Sequence, residues 1–208
     1  WKLRVIAFGL VWMMVGSLFV GVLPTKSDKV AAGPVHNLDK DTYYQTIQAG
    51  VDDAGTGNRI FVSAGTYYEN VVINKTLTLM GEDRNTTIID GGGSGDVVYI
   101  SADWVNVSGF GVRNGEYYYA GIRLYYSSDD NISDCVFSSN NYYGIFFDHS
   151  LRNTVAECIV YSNTLHGICI YYSTNNVISG CNVSNNNGMG IYLPCSSNNT
   201  IINCIAYS

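Results

Sequence analysis

Gly121, Gly144, Gly167 and Gly190 stand 23 residues apart, each followed by isoleucine, and Cys135, Cys158, Cys181 and Cys204 keep the same interval fourteen residues behind them. A fixed period of this length means that each repeat is one structural unit burying its apolar face against the next. The chain therefore grows along an axis instead of around a single core. Within each repeat the apolar residues fall at positions two and four (Ile122 and Leu124, Ile145 and Phe147, Ile168 and Ile170, Ile191 and Leu193), at twelve (Ile132, Val155, Ile178, Ile201), and at fifteen and seventeen (the cysteines, with Phe137, Val160, Val183 and Ala206). Alternation by two places these side chains on one face of a strand. The spacing predicts three short strands per repeat, separated by polar turns and closing a triangular coil. A helical array would need 3.6-residue spacing, which is absent. Coils stacked in register set equivalent residues about 4.8 Å apart, each strand bonding the coils above and below. The expected fold is all-β, a right-handed single-stranded parallel β-helix, or solenoid, of 23 residues per coil.

Upstream, strand signals begin at Arg59, stop at the turn Ala64-Gly65-Thr66, and resume at Val71, Leu77, Thr87, Val97, Val105 and Phe110. Phe110 takes the cysteine position of a degenerate coil, 25 residues before Cys135, with the two extra residues in a loop around Tyr117 to Tyr119. Thr42, Tyr43, Ile47 and Val51, with Asp41 as N-cap, predict a short N-terminal capping helix ending near Gly55, which would cover the open edge of the array. Pro24 to Asn37 lacks apolar periodicity and reads as linker. Lys2 and Arg4 precede an uncharged stretch from Val5 to Leu23, the order of an export signal and close to the ~20 residues that cross a bilayer. The organisation expected is thus an export signal or signal anchor over 1–30, linker and capping helix over 31–57, and β-helix over 58–208, truncated because Ser208 falls inside a repeat, with further domains missing. The chain would be exported to the cell surface, exterior or periplasm, touching a membrane through residues 5–23 alone. With a net charge of −6 and no basic cluster in the repeats, the chain shows no footprint for nucleic acid.

Position ten carries Asp130, Asn153, Asn176 and Asn199, and position twenty carries Asn140, Asn163 and Asn186; these are read as turn residues, where Asn tolerates left-handed angles and its amide bonds a turn backbone or the next coil. The thiol column sits among Ile, Val and Phe and is read as core, since neutral cysteine packs as a small hydrophobe. Disulfides and a soft metal such as copper(I) are the alternatives it leaves. Cys169, at position three, should point outward. At positions five and six stand Tyr125 and Tyr126, Asp148 and His149, Tyr171 and Tyr172, then Pro194 and Cys195. One member of each pair should face outward, giving an aromatic, polar, aromatic stripe that could hold a polysaccharide or surface glycan, the rings stacking on sugar C–H surface and the acid bonding hydroxyls. A solvated strand face explains the same residues. Glycoside hydrolysis needs two carboxyl groups ~5 to 10 Å apart, which Asp129 with Asp130, or Asp134 with Glu157, could supply. No metal site or cofactor is expected. Six sequons, at Asn74, Asn85, Asn106, Asn131, Asn182 and Asn198, suit an exported glycosylated chain, although Asn and Ser are also ordinary turn residues.

The run from Ile60 to Glu82, then Ile88-Ile-Asp-Gly91, then the repeats G-I-x-L-x-x-S-x-x-N-x-I-x-x-C resemble the parallel β-helix proteins of the NosD-like, carbohydrate-binding and sugar-hydrolase (pectin-lyase-like) group. The resemblance implies an exported surface protein. For function it implies polysaccharide binding, polysaccharide hydrolysis or lysis, or, through the NosD name, copper supply to a reductase. His166-Gly167 is similar to the His-Gly of polygalacturonases, but the companion Asn-Thr-Asp and Arg-Ile-Lys segments are missing. A structural or carbohydrate-binding module is the leading expectation, with an enzyme second and a copper accessory third.

Overall fold

The computed structural model describes residues 34–207; the apolar stretch over 5–23 lies outside them. Three sheets, parallel apart from the N-terminal edge of the first, run the length of the array. A typical coil passes from Asn131–Ser133 in sheet A to Val136–Ser138 in sheet B and Tyr143–Asp148 in sheet C before re-entering sheet A at Thr154–Ala156. Sheet A has nine strands, sheet B seven, from Gly65–Tyr68 to Ile205–Tyr207, and sheet C six, from Val71–Ile73 to Ile191–Tyr192. Register follows the sequence period: Ile132, Val155, Ile178 and Ile201 pair in line, as do Phe137, Val160, Val183 and Ala206. This is the expected β-solenoid, its aliphatic, aromatic and thiol side chains filling the interior.

Gly111 pairs with Val136, which sets Phe110 level with Cys135, buried in the degenerate coil as its sequence position requires. Ile122 follows Val112 by ten positions where Ile145 follows Phe137 by eight, so the segment around Tyr117 to Tyr119 does hold the two extra residues. The turn expected at Ala64-Gly65-Thr66 is shorter, because Gly65 already pairs in sheet B.

The N-terminal edge differs more. β1 (Val35–Asn37) and β2 (Thr42–Tyr44) form an antiparallel hairpin, and β1 pairs with Arg59–Val62. The end of the expected linker and the start of the expected helix are therefore strand. Asp41 caps nothing; it turns the hairpin at φ 52° with its carboxylate 3.0 Å from His36 Nε2. The helix α1 (Ile47–Asp53) starts later, capped by the Thr46 hydroxyl, which accepts from the Ala49 amide. Its next free amides, Ile47 and Gln48, donate to the Glu69 carboxylate at 2.8 and 2.9 Å. Ile47, Gly50 and Val51 are buried, so the helix does cover the first coil.

Corners turn on single left-handed residues stacked in columns. Tyr126, His149, Tyr172 and Cys195 have φ of 45–56°, Asp129, Arg152, Asn175 and Asn198 56–62°, and Asp134, Glu157, Gly180 and Asn203 50–62°. Most of these are not glycine or asparagine, so each costs about 1–2 kcal/mol that the stacked backbone bonds must offset. The ladder asparagines are not the left-handed residues. They stand beside them, buried except for the half-buried Asn199, and act through hydrogen bonds.

The repeating glycine is explained by space. A Cβ on Gly144 would lie 2.4 Å from Val160 Cγ1 and 2.8 Å from both Asn163 Nδ2 and the Gly167 carbonyl oxygen. Neither the stiff valine nor the backbone can yield. Gly144→Ala should lower stability by roughly 1–3 kcal/mol, read as a lower urea midpoint at unchanged slope; an unshifted midpoint would show that the coils are more loosely stacked.

Candidate functional site

The candidate residues lie on the outer surface of sheet C. In the strand Ala120–Tyr125 the side chains of Ile122 and Leu124 enter the core, which sends Arg123 and Tyr125 outward. Pairing extends Arg123 into a column running Val72, Tyr99, Arg123, Phe146, Cys169 and Tyr192. Tyr125, Asp148 and Tyr171 form a second column. Beyond them, on the left-handed corner, Tyr126, His149 and Tyr172 make a third. The sequence suggested that one member of each pair points outward; both do, because the left-handed residue breaks strand alternation.

The corner rings stack on one another. His149 lies 4.8 Å from Tyr126 and 5.2 Å from Tyr172, each interplanar angle 11°. Both faces of His149 and the inner faces of Tyr126 and Tyr172 are thereby covered, so within the stack the column offers edges, not platforms. Tyr125 and Tyr171 stand edge-on to Tyr126 and Tyr172 at 4.7 and 4.5 Å. Tyr171, with Tyr143, Phe146, Tyr192 and Pro194, walls a cavity of about 240 Å³ floored by Cys169. Cys169 points away from the coil interior as alternation requires, yet it is buried beneath these rings, and burial pushes its thiol up to about 12.

Asp148 is not the open carboxylate the sequence suggested. It is 6% exposed, bonded through Oδ2 to Arg123 and through Oδ1 to His149 Nδ1 at 2.7 Å. Arg123 also faces Asp96 at 3.7 Å and lies 5.0 and 5.2 Å from the ring centres of Tyr125 and Phe146. Burial works against its charge, but the bond to Asp148 and the field of Asp96 more than offset this. Asp96 accepts from the Ala120 amide at 2.7 Å, and burial pushes its carboxyl up. The network holds a cation under aromatic walls with both anions already engaged.

At the rim, His166 Nδ1 accepts from the Met189 amide at 2.9 Å, and burial pushes the imidazole down. It therefore serves as a neutral acceptor, its ring 4.6 Å from Tyr192. Neither carboxyl pair considered from the sequence presents two open acids. Asp129 is held by Arg152 at 2.6 and 2.9 Å, Asp130 is buried, and Asp134 pairs with Arg84 at 2.9 Å. Arg123, Asp96, Phe146, Tyr143 and Tyr192 were missed by sequence reasoning. The alternation between inward Ile122 and Leu124 was the signal that could have found the first of them.

This arrangement defines a parallel β-helix repeat protein with an aromatic outer face. The chain belongs to the NosD family, whose description is periplasmic copper-binding protein and whose match covers residues 51–208. A cell surface glycoprotein from Methanothermus fervidus is 31% identical over 128 residues, 60% of this chain; the chain spans about a fifth (20%) of that protein's length. Among solved structures, an alginate lyase from Paenibacillus sp. str. FPU-7 superposes with a TM-score of 0.61 at 17% identity, covering 72% of this chain and 62% of the lyase. ORF18 of Geobacillus virus E2 superposes with a TM-score of 0.67 at 18% identity, covering 77% and 38%. At such identities the likeness is one of fold.

The family description names copper, and the donors present do not fit it. Cys135, Cys158 and Cys181 are buried in the core, and Cys158 and Cys181 donate to the Ala156 and Ser179 carbonyls at 3.3 and 3.4 Å. Hydrogen bonding to the neighbouring thiols, Cys135 and Cys158 respectively, and burial push these two thiols far above the ordinary range, against the thiolate that copper requires. Among the described residues no three His, Cys, Asp or Glu side chains converge on one point.

Proposed function

We propose that the chain is a module of an exported cell-surface protein whose sheet C face binds polysaccharide without cleaving it. The observation that carries this reading is the cavity beside Tyr171, aromatic on its walls and set next to the buried Arg123 network. Aromatic walls take the C–H faces of sugar rings, and the rim groups, His149 and the tyrosine hydroxyls of Tyr125, Tyr126, Tyr171 and Tyr172, bond their hydroxyls. The relative from Methanothermus fervidus supports the surface location, and the periplasmic description of the family supports export. Binding without turnover fits carboxylates held by arginines, since general acid and base groups must be free to exchange protons.

A glycan array followed by titration with the retained polysaccharide tests this. Tyr171→Ala should weaken binding about tenfold, or about 1.4 kcal/mol, whereas Tyr161→Ala, on sheet B, should change it less than threefold. Release of new reducing or unsaturated ends by the unaltered chain would make it an enzyme and sink the binding-module reading.

A further inference from the structure

We propose that two of the six sequons, Asn74 and Asn198, are N-glycosylation sites of the folded chain and that the other four are not. Both are exposed, and among the described residues neither side-chain amide has a hydrogen-bond partner. Both lie in the connection from sheet C to sheet A, Asn74 at its start in line with Tyr125 and Asp148, and Asn198 near its end in line with Arg152 and Asn175. Asn74 follows Val71–Ile73 and precedes Thr78–Gly81, while Asn198 follows Ile191–Tyr192 and precedes Thr200–Ile202. Thr200 is exposed, and its counterparts Asn131, Thr154 and Val177 in earlier coils are half exposed in line with it, so this hydroxyl position faces solvent along the whole array. Thr76 is half-buried with its hydroxyl donated to the Asp103 carbonyl at 2.8 Å, which makes Asn74 the less fully occupied of the two.

The remaining four fail on geometry. Asn85 is exposed, but its partner Thr87 is fully buried with its hydroxyl accepting from the Asp83 amide. Asn106, Asn131 and Asn182 lie inside strands paired on both sides. A transferase must bend the sequon to bring amide and hydroxyl together, and these segments cannot bend without breaking two ladders. In the reaction, the asparagine Nδ2 attacks the anomeric carbon of an oligosaccharide carried on a lipid phosphate. The C–N bond forms, the bond from that carbon to the phosphate oxygen breaks, the lipid phosphate leaves with the electron pair, and one amide proton passes to a base of the transferase. None of the six sequons lies within a strand of sheet C, but Asn74, directly after Ile73, heads the column that continues through Tyr125, Asp148 and Tyr171, so a glycan there would stand at the end of that column, two coils from Tyr125.

The inference rests on export, and its test separates the two. The full chain is recovered from the cell that encodes it, fractionated, and examined by intact mass and by glycopeptide mapping. Glycan at Asn198, with less at Asn74, and loss of one glycan mass in Asn198→Gln but not in Asn131→Gln or Asn182→Gln, is the expected result. An exported chain bare at both corners, or carrying comparable glycan at Asn131 or Asn182, overturns the assignment while leaving export standing. A chain confined to the cytoplasmic fraction overturns both.

Discussion

At pH 8, Asp130→Asn is expected to stabilise the protein by on the order of 4 kcal/mol, and near pH 4 by little. Asp130 stands in a column otherwise filled by asparagine. Each member accepts from the coil before it: Val105 N–H donates to Asp130, Asp130 N–H to Asn153, and Asn153 N–H to Asn176, at 2.8, 2.8 and 2.9 Å. The asparagines use their second atom as a donor, Asn153 Nδ2 to the Ser127 carbonyl at 3.1 Å and Asn176 Nδ2 to the Ser150 carbonyl at 3.2 Å. Asp130 puts an oxygen there, buried and without a partner. Burial pushes its carboxyl up to about 7, the Val105 amide and the nearby Ser127 hydroxyl oppose that only in part, and the Asp103 and Asp129 carboxylates add to it.

Because the folded value lies above the unfolded one of about 3.9, folding favours the protonated acid. This contribution is complete below pH 4, falls as the pH climbs to about 7, and stays lost above it. Asp129 behaves oppositely, since its bond to Arg152 holds its carboxyl down and its contribution is lost only as the pH falls below the ordinary carboxylate range. His166, pushed down by burial, adds stability as the pH rises through its ordinary value. Comparing urea midpoints of parent and Asp130→Asn from pH 4 to 9 cancels both. A variant gain that does not grow with pH would mean that the buried oxygen is solvated.

What was legible in the sequence was whatever repeats with a spacing that physics makes unambiguous. Ile122, Leu124, Ile132, Cys135 and Phe137 recur every 23 residues at alternating positions, and alternation admits one face only. The hairpin at Val35–Tyr44 was illegible because it occurs once, is antiparallel, and turns through Asp41 with no glycine to mark it. The left-handed corners were hidden for a related reason. Tyr126, His149, Arg152 and Glu157 are poor left-handed residues when judged locally, and only the stacked backbone holds them there. The same fact explains the partial reading of the site. Of the six residues named from the sequence, Tyr125, Asp148 and Tyr171 end strands of sheet C and Tyr126, His149 and Tyr172 sit on the corner after it, and alternation alone could not show that these last three stack on one another. Nor could it show Asp148 closed over by Arg123, a contact between adjacent columns and adjacent coils.

The second large effect is expected at Asn163, where replacement by leucine should cost about 4 kcal/mol. Its Oδ1 accepts from both the backbone amide and the Nδ2 of Asn140, at 3.1 and 3.0 Å, and its Nδ2 donates to the Phe137 carbonyl and to Asn186 Oδ1, at 3.2 and 2.9 Å. All of these atoms are buried, and leucine reaches none of them. A stranded buried donor or acceptor costs about 1–3 kcal/mol, and the Asn140 amide and the Phe137 carbonyl are both left without this partner. Leucine must also fit the narrow space beside Gly144, whose missing Cβ already lies 2.8 Å from Asn163 Nδ2. The exposed neighbour provides the control: Asn187 makes one long bond of 3.4 Å to the Thr164 carbonyl, so Asn187→Leu should shift the urea midpoint by less than about 0.5 kcal/mol. Coils in such an array stabilise their neighbours pairwise, so the loss at Asn163 should also speed amide exchange at Asn140 and Asn186, one coil to either side. A loss below about 1 kcal/mol, with exchange unchanged in those coils, would mean that backbone pairing alone holds the array and that the buried amides are passengers.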